Sequence, residues 1–222
     1  MNKERTYVIK KNKKKKYSFI DLFCGIGGFH QALSNLDAEC IFACDIDENC
    51  RKNYKRNYDI KPEGDIQSIE IKSIPKFNIL CAGFPCQPFS KAGHQNGFED
   101  ERGNIFFDIC KIIEYHEPQY IILENVRNLA SHDNGNTWKT IRSNIDKLNY
   151  YTYEDPVILN TLYFGVPQSR ERVVIMCKRK DLGELPTLPS ISKQNIKETS
   201  LESIVEKVNL EKYYIKDKMK IT

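Results

Sequence analysis

Residues 17–36 read YSFIDLFCGIGGFHQALSNL, an apolar run followed by a glycine-rich turn and an amphipathic segment. The apolar run YSFIDLF (17–23) predicts a buried strand, and GGFHQALSNL (27–36) has the spacing of a helix. Three glycines between them allow the backbone to turn tightly. A strand, a tight turn and a helix in this order predict the first part of a βαβ unit, and with it a parallel sheet.

The same alternation continues along the chain. Further strands are predicted at 39–45, 76–84, 119–126, 153–160 and 171–179, and further helices at 48–58, 104–116 and 135–149. We therefore expect an α/β fold with a mostly parallel sheet and helices on both faces. The last strands have no full helix between them, which predicts an antiparallel end. After Gly183 the pattern weakens, with one possible short helix in SLESIVEKV (200–208).

Composition and charge narrow the class of protein. The 222 residues, 40% hydrophobic and 29% charged, fit one ordinary globular domain. No apolar stretch reaches the roughly 20 residues of a membrane helix, and the N-terminus lacks a signal-peptide core, so we expect an intracellular, cytoplasmic protein. Residues 1–16 carry a net charge of +7 and the remainder −3. The lysine-rich tail is either a flexible solubilising segment or an arm that binds nucleic acid.

Eight cysteines are spread along the chain, at positions 24, 40, 44, 50, 81, 86, 110 and 177. None forms a C-x-x-C pair and the four histidines are scattered, so no metal site is predicted. Most of the thiols are expected to be reduced and packed in the core. Cys86 differs, because GFPCQPFS (83–90) places it between two prolines and two phenylalanines directly after a predicted strand.

The residues that end the predicted strands indicate a nucleoside site, because ligands of open parallel sheets bind at the carboxyl ends of strands. The glycine turn admits a ligand close to the backbone. Asp45 ends the second strand 20 residues after Gly25, where a carboxylate can accept ribose hydroxyls, and Asp65 suits an exocyclic amine. The turn is not a G-x-G-x-x-G dinucleotide motif, because His30 replaces the last glycine, and it is not a P-loop.

Cys86 and Glu124 follow or end neighbouring predicted strands, so we expect them at the same edge as the nucleoside site. A thiolate is a strong nucleophile, and a carboxyl at the end of a buried strand can be held protonated and act as an acid. A packed cysteine and a core glutamate are the alternatives. Arg170 and Arg172 alternate where the last strand begins and are expected to face the same way. They suit a phosphate or a carbonyl oxygen, or a surface salt bridge.

Several motifs follow one another in a fixed order: DLFCGIGGF, KPEGDI, GFPCQPFS, GFEDERGNIFFDICKII, ENV and QSRER. In this combination residues 17–180 resemble the cytosine carbon-5 DNA methyltransferases of bacterial restriction–modification systems. The resemblance implies a Rossmann-like S-adenosylmethionine-dependent methyltransferase fold, with 17–182 as the catalytic domain. It also implies methylation of a cytosine flipped out of double-stranded DNA, S-adenosylhomocysteine as product, and an enzyme of the bacterial cytoplasm and nucleoid.

The resemblance implies a set of S-adenosylmethionine contacts: Phe23, Gly25, Ile26, Gly28, Asp45, Ile46, Asp65, Ile66 and Ile105. Phe23 and Ile46 would sandwich the adenine. Asp45 would bind the ribose, and Asp65, with Ile66 beside it, the adenine amine. No metal is implied.

The resemblance also implies catalytic residues, Cys86, Glu124, Arg170, Arg172 and Asn125, and substrate contacts, Phe84, Pro85, Gln87 and Ser90. Cys86 would attack carbon 6 of the cytosine while Glu124 binds ring nitrogen 3. Arg172 would contact the base oxygen and Arg170 a phosphate, and Asn125 would hold the turn before Cys86. Residues 86–103 would form a mobile loop over the DNA, with Gly93, Gly97 and Gly103 as candidate hinges.

Members of this family normally continue with a target-recognition region and a final motif containing G-N-S, and neither occurs in this sequence. We therefore expect residues 183–222 to be a linker toward a missing recognition region, in a fragment or in one subunit that needs a second polypeptide. A related transfer-RNA cytosine-5 methyltransferase is the main alternative. A non-catalytic relative is disfavoured because Cys86 and Glu124 are present, and a Rossmann oxidoreductase because no hydride-acceptor site is recognisable.

Overall fold

A computed structural model describes residues 16–85, 105–189 and 200–203 of the chain. By contacts the chain forms two compact units, the first comprising Met1–Leu159 with Glu171–Leu188 and the second Asn160–Arg170 with Pro189–Thr222. The predicted tail before Lys16, the predicted loop at 86–103 and the predicted helix beyond Ser203 lie outside the described residues.

The first unit is built on a seven-stranded sheet. Its strands are β1 Tyr17–Leu22, β2 Ala38–Cys44, β3 Ile79–Gly83, β4 Tyr120–Val126, β5 Tyr150–Thr152, β6 Val157–Asn160 and β7 Glu171–Arg179. The order is β2-β1-β3-β4-β7-β5, and β6 also pairs with β7. Strands β2, β1, β3 and β4 are parallel, whereas β7 is antiparallel to β4 and to β5. This confirms the predicted mostly parallel sheet with an antiparallel end.

Within the described residues, four α-helices accompany the sheet: α1 Gly28–Ser34, α2 Glu48–Tyr58, α3 Ile105–His116 and α4 Asn136–Lys147. Helix α2 begins where Asp47 accepts hydrogen bonds from the amides of Asn49 and Cys50, at 2.7 and 3.3 Å, which is an N-cap. Asp59 follows the last residue of α2, and its left-handed φ of 57° ends the helix there. No helix in the described part of the chain is long and apolar enough to cross a membrane.

The two faces of the sheet bury different side chains, because successive residues of a strand point to opposite faces. One core cluster joins Ile20 and Leu22 of β1 to the buried residues of α3 and α4. The other joins Phe19 of β1 to Leu33 of α1 and Tyr54 of α2. Helices therefore cover both faces, as predicted. Helix α3 reads IFFDICKIIEYH, and its apolar residues repeat every three to four positions, so that one side of the helix lies in the core.

The segment after α4 differs from the prediction. A single strand was expected at 153–160, but that segment contains only β6, Val157–Asn160, and the short strand β5, Tyr150–Thr152, precedes it. Strand β5 pairs with the C-terminal half of β7, Tyr150 with Arg179 and Thr152 with Cys177. Three residues are too few to show a period in the sequence, and the partner that makes them a strand is remote in the chain.

In the second unit, the segment Asn160–Arg170 is a loop whose two ends are joined by hydrogen bonds. The side-chain oxygen of Asn160 accepts hydrogen bonds from the amides of Leu162 and Arg170, at 3.0 and 3.3 Å. The amide of Thr161 donates to the carbonyl of Arg170 at 3.1 Å. Asn160 thus ties the beginning of the loop to its end. Residues 201–203 form a 3-10 turn, within the segment where a short helix was expected.

We predict that Ile113→Ala destabilises the first unit by about 2–5 kcal/mol, because Ile113 is fully buried and its truncation leaves a cavity. Tyr115→Ala, on the same helix but 61% exposed, is the matched control and should change stability by less than about 1 kcal/mol. Urea unfolding of the two variants measures this difference, and equal losses of stability would contradict the assigned burial.

Candidate active site

The parallel strands bring four chain segments to one edge of the sheet. Leu22 at the end of β1 pairs with Cys44 of β2 and Ala82 of β3, and Gly83 of β3 pairs with Glu124 of β4. The residues that follow these positions therefore lie side by side at this edge. They are the glycine turn, Asp45, the Phe84–Pro85 segment and the Asn125–Val126 end of β4.

The glycine turn after β1 is held by the carboxylate of Asp45. Gly25 and Gly27 have φ angles of 53° and 94°, in the left-handed region that favours glycine. Asp45 Oδ2 accepts a hydrogen bond from the Gly25 amide and Asp45 Oδ1 from the Asp47 amide, each at 2.8 Å. Asp45 thus fixes both the turn and the residue that caps α2. Each carboxylate oxygen has further acceptor capacity, and the expected ribose contact stays a prediction.

The turn has an open side and carries exposed apolar groups. Side chains built at Gly25 or Gly28 would meet no described atom within 4 Å. Ile26 in the turn and Ile46 directly after Asp45 are 66% and 74% exposed, whereas Phe23 is partly buried against the core. Exposed apolar side chains next to an open backbone turn provide a contact surface for an apolar ring.

The segment that carries Asp65 runs beside the end of β2, because the amide of Asp45 donates to the carbonyl of Glu63 at 3.1 Å. One oxygen of Asp65 accepts a hydrogen bond at 3.0 Å from a backbone amide two residues further on. Ile66 is buried, and Ile105 at the start of α3 is partly buried against the same core cluster. The structure therefore places Asp45 and the Asp65 segment next to each other at the end of β2.

Asn125 connects the end of β4 to the end of β3. Its Nδ2 donates to the carbonyl of Phe84 at 2.9 Å, and its Oδ1 accepts from the amide of Val126 at 2.8 Å. Asn125 is buried, 2% exposed, so its hydrogen bond to the Phe84 carbonyl is shielded from water. The carbonyl that Asn125 holds belongs to the residue before Pro85. Cys86, Gln87 and Ser90 lie outside the described residues.

Glu124 and Arg172 form an ion pair at the same edge. Arg172 Nε lies 2.7 Å from Glu124 Oε1, with the arginine and glutamate side chains 22% and 34% exposed. Arg172 Nη1 also donates to the backbone carbonyl of Glu171 at 2.8 Å. Gly83 lies opposite Glu124 in the parallel register, and a side chain there would come within 3.5 Å of Glu124 Oε2. The pair offers carboxylate and guanidinium groups side by side, partly open to solvent.

Arg170 belongs to the second unit, and β7 begins one residue later, at Glu171. The Arg170 side chain is exposed and its amide donates to Asn160. That Arg170 and Arg172 face the same way stays a prediction.

Comparison with known proteins assigns this arrangement to a family. The model of the C-5 cytosine-specific DNA methylase family matches residues 17–221. The chain belongs to this family. It is 48% identical over 164 residues to the type II methyltransferase M.HhaI of Haemophilus parahaemolyticus and 49% over 174 residues to M.HpaII of Haemophilus parainfluenzae. These matches cover 74% and 78% of the chain but 50% and 49% of the relatives. The chain therefore spans about half the length of the curated relatives it matches.

Solved structures support the same assignment. The chain resembles a Spodoptera frugiperda DNMT2 mutant with a TM-score of 0.67 and 26% identity, over 87% of this chain and 60% of that one. It resembles a putative DNA modification methyltransferase of an E. coli prophage with a TM-score of 0.62. That match, at 18% identity over 77% of this chain and 49% of the other, shows the fold alone. The expected Rossmann-like methyltransferase fold and the family resemblance are confirmed.

Sequence reasoning missed a buried polar cluster in this methylase domain, next to the glycine turn. Asp21 of β1 is 1% exposed, on the face covered by α1 and α2. Its Oδ2 accepts a hydrogen bond from the hydroxyl of Tyr54 at 3.3 Å, and that hydroxyl lies 2.7 Å from His30 Nδ1 and 3.4 Å from Cys40 Sγ. A signal was available, because an aspartate within the apolar run YSFIDLF needs a partner if it is buried.

An exposed ion pair was also missed. Arg127 Nη1 lies 2.6 Å from Glu171 Oε2, with the arginine 62% exposed. It joins the residue after β4 to the first residue of β7, next to the Glu124–Arg172 pair. No local pattern marks it, because the two residues are 44 positions apart.

Several described cysteines of the methylase domain are unsuited to nucleophilic attack, because their burial disfavours the thiolate form. Burial raises the pKa of the Cys40 thiol to about 11 and the pKa values of Cys44 and Cys177 to about 12. A nucleophilic cysteine needs a lowered pKa and access to its substrate. Among the described residues, no group of three or more histidine, cysteine, aspartate or glutamate side chains is arranged to hold a metal ion.

Burial raises the pKa of Asp21 to about 7, although the hydrogen bonds from the Tyr54 hydroxyl and the His30 amide oppose this, and the charge of Asp45 adds to it. The folded protein therefore binds a proton at Asp21 more tightly than the unfolded chain, whose carboxyl has the ordinary pKa of 3.8. The resulting stabilisation is complete below about pH 4 and is lost as the pH rises through 7.

We predict that Asp21→Asn removes this pH dependence. At about 1.4 kcal/mol per pKa unit, the wild type should lose about 4 kcal/mol of unfolding free energy relative to the variant between pH 4 and pH 8. Urea unfolding at several pH values measures this. Asp155→Asn, at an exposed position, is the control and should follow the wild type. Parallel pH profiles for wild type and Asp21→Asn would contradict the raised pKa.

Proposed function

We propose that this chain carries the catalytic part of a DNA (cytosine-5-)-methyltransferase of a restriction–modification system, which transfers the methyl group of S-adenosylmethionine to carbon 5 of a flipped cytosine. The observation that carries the proposal is the Glu124–Arg172 ion pair, 2.7 Å between Nε and Oε1. It lies at the strand edge where Asn125 holds the Phe84 carbonyl, two residues before Cys86.

The open glycine turn is the proposed site of S-adenosylmethionine, which supplies an electrophilic methyl group when bound. No atom of the described residues occupies the space that a side chain at Gly25 or Gly28 would take, and Phe23, Ile26 and Ile46 provide apolar surface for the adenine. The proposed polar contacts are Asp45 to the ribose and Asp65 to the adenine amine, with Ile66 and Ile105 completing the pocket. The residues present fit the group, because exposed apolar side chains and two carboxylates beside the end of the parallel strand β2 suit a nucleoside.

The proposed chemistry begins at the base. The Cys86 thiolate adds to carbon 6 of the cytosine, while Glu124 donates a hydrogen bond or proton to ring nitrogen 3, so that electron density moves to carbon 5. Carbon 5 then takes the methyl group, and S-adenosylhomocysteine leaves. A base removes the proton from carbon 5, ring nitrogen 3 returns its proton to Glu124, and the carbon–sulfur bond breaks to release the Cys86 thiolate.

The other site residues act by positioning. Arg172, already paired with Glu124, contacts the base oxygen, and Arg170 a backbone phosphate. Asn125 holds the backbone ahead of Cys86, and the substrate contacts come from Phe84, Pro85, Gln87 and Ser90. Closure of the segment 86–103 over the DNA is part of the proposal.

We further propose that a second polypeptide or segment with a target-recognition region assists DNA binding. The support is electrostatic, because residues 17–222 carry a net charge of −3, whereas DNA affinity depends strongly on basic groups that neutralise phosphates. The transfer-RNA alternative shares the chemistry, but the two type II relatives, at 48% and 49% identity, favour DNA.

The decisive experiment traps the covalent intermediate. We expect a denaturation-resistant adduct with duplex DNA that contains 5-fluorocytosine, in the presence of S-adenosylmethionine, because fluorine at carbon 5 cannot leave as a proton does. Cys86→Ser should abolish the adduct, and Glu124→Gln should slow its formation by about 100-fold or more, the range for loss of a general acid. Gel electrophoresis of labelled DNA measures both.

Cys50→Ser is the matched control, since Cys50 is a partly exposed thiol on α2 outside the proposed site, and it should form the adduct like the wild type. The assay is run with and without any recognition subunit, and with transfer RNA in place of DNA. An adduct with RNA but not with DNA would favour the alternative substrate. Absence of any adduct with either nucleic acid, even with the subunit present, would contradict the proposed chemistry.

A further inference from the structure

One of the three glycines of the turn, Gly27, packs against a neighbouring ring, whereas Gly25 and Gly28 do not. A side chain at Gly27 would lie 2.1 Å from Cε2 of Tyr58, with Cζ and Oη of the same ring at 2.7 and 2.8 Å. Side chains are not found at such short distances from other atoms. The Tyr58 ring occupies the space that a side chain would need, and only glycine fits at this position. A side chain added at Gly25 or Gly28, in contrast, would meet no described atom within 4 Å beyond its neighbours in the chain.

The hydroxyl of Tyr58 also binds the turn. It donates to the carbonyl of Gly27 at 3.0 Å, and the same carbonyl accepts the first helical hydrogen bond of α1, from the Gln31 amide at 2.9 Å. A carbonyl oxygen has two lone pairs, and both are used here. Tyr58 therefore fixes the residue at which the turn ends and α1 begins.

The Tyr58 ring is itself held in place by neighbours on the same face. It stacks on the His30 ring, with centroids 3.9 Å apart and an angle of 14° between the planes, and contacts Tyr54 edge-on at 4.9 Å. The hydroxyl of Tyr54 lies within hydrogen-bond distance of His30 and of Asp21. The support under Tyr58 thus extends to β1, the strand from which the turn starts.

Both ends of α2 act on the turn. Asp45, just before the helix, accepts the Gly25 amide, and Tyr58, its last residue, donates to the Gly27 carbonyl. Arg51 in the first turn of the helix donates to the carbonyls of Asp45 and Ile46, at 2.7 and 2.8 Å. Residues at the two ends of α2 therefore bind the turn at two points, the Gly25 amide and the Gly27 carbonyl.

We propose that Tyr58 is a positioning residue for S-adenosylmethionine, which sets the conformation of Gly27 and thereby the open face that Gly25 and Gly28 present to the cofactor. This rests on the proposed function of the turn. The Tyr58 ring fills the space at Gly27 and does not reach within 4 Å of a side chain added at Gly25 or Gly28, so it leaves the proposed ligand face open. A purely structural tyrosine would contribute to stability without changing the affinity for the cofactor.

The test compares two variants that each remove one tyrosine hydroxyl from a backbone carbonyl. Tyr58→Phe removes the bond to Gly27, and Tyr150→Phe removes the bond from Tyr150 to the Pro118 carbonyl, 2.6 Å, near the far end of the sheet. We expect Tyr58→Phe to weaken S-adenosylmethionine binding about five- to tenfold by calorimetry, the effect of one lost hydrogen bond. Tyr150→Phe should bind like the wild type, although its melting temperature falls.

Amide hydrogen exchange of Gly27 provides a readout without cofactor. Its amide donates to the Cys24 carbonyl at 2.9 Å, so its exchange reports opening of the turn. We expect faster exchange by about the same factor in Tyr58→Phe and no change in Tyr150→Phe. Unchanged affinity together with unchanged Gly27 exchange in Tyr58→Phe overturns the inference. If the wild type does not bind S-adenosylmethionine while Gly27 exchange still responds, the proposed cofactor is wrong and the role of Tyr58 in holding the turn stands.

A double-variant cycle tests the packing contact separately. Gly27→Ala should strongly weaken binding in the wild type, because the new methyl group displaces the Tyr58 ring. In a Tyr58→Leu background, which lacks the colliding Cε2, Cζ and Oη atoms, the same substitution should cost much less, although the left-handed φ of 94° at Gly27 remains unfavourable. Equal fold-losses in the two backgrounds would mean that the ring and the turn are independent, against the inference.

Discussion

The register of the parallel strands is the constraint on which the site depends. Strands β1, β2, β3 and β4 run in one direction, and neighbouring strands end within two residues of each other, so segments far apart in the chain meet at one edge of the sheet. A slip of one residue in any pair would send every side chain of that strand to the opposite face. The apolar side chains of Ile20, Leu80 and Ile121 prevent such a slip, because all three are buried in one cluster and a slip would move them out of it.

Because successive residues of β1 point to opposite faces of the sheet, the residues that support the glycine turn lie together on one face. On the face covered by α1 and α2, β1 places Phe19 and Asp21, which pack with the residues that hold the glycine turn. A buried carboxyl is unfavourable when charged, and the Tyr54 hydroxyl and the raised pKa of Asp21 reduce that cost. The support of the turn is therefore a compact polar cluster inside an apolar core. Its members contact one another closely, so each restricts the positions of the rest.

Local patterns in the sequence were sufficient to predict the fold, and with it the sheet edge at which the described candidate residues lie. Apolar runs and helical periods gave six of the strands and all four helices, because burial on both faces makes these segments continuous or periodic. Strand β5 was missed, since three residues carry no period, and Tyr58 was missed although it ends the predicted helix 48–58. Its contact with Gly27 joins residues 31 positions apart, and the helix reads as polar. Nothing local indicates that its ring fills the space of a missing side chain.

The position of the proposed nucleophile depends on very few degrees of freedom. Asn125 holds the Phe84 carbonyl from a buried site at the end of β4, and the ring of Pro85 restricts its own φ to about −65°. The peptide bonds on either side are planar. Between this anchored carbonyl and the Cys86 sulfur, the freely variable torsions are therefore ψ of Pro85, φ of Cys86 and one side-chain torsion. Glu124 precedes Asn125 on the same strand, so the acid and the anchor move together. A shift of β4 relative to β3 would therefore displace Glu124 and the Asn125 amide that holds the Phe84 carbonyl by the same amount.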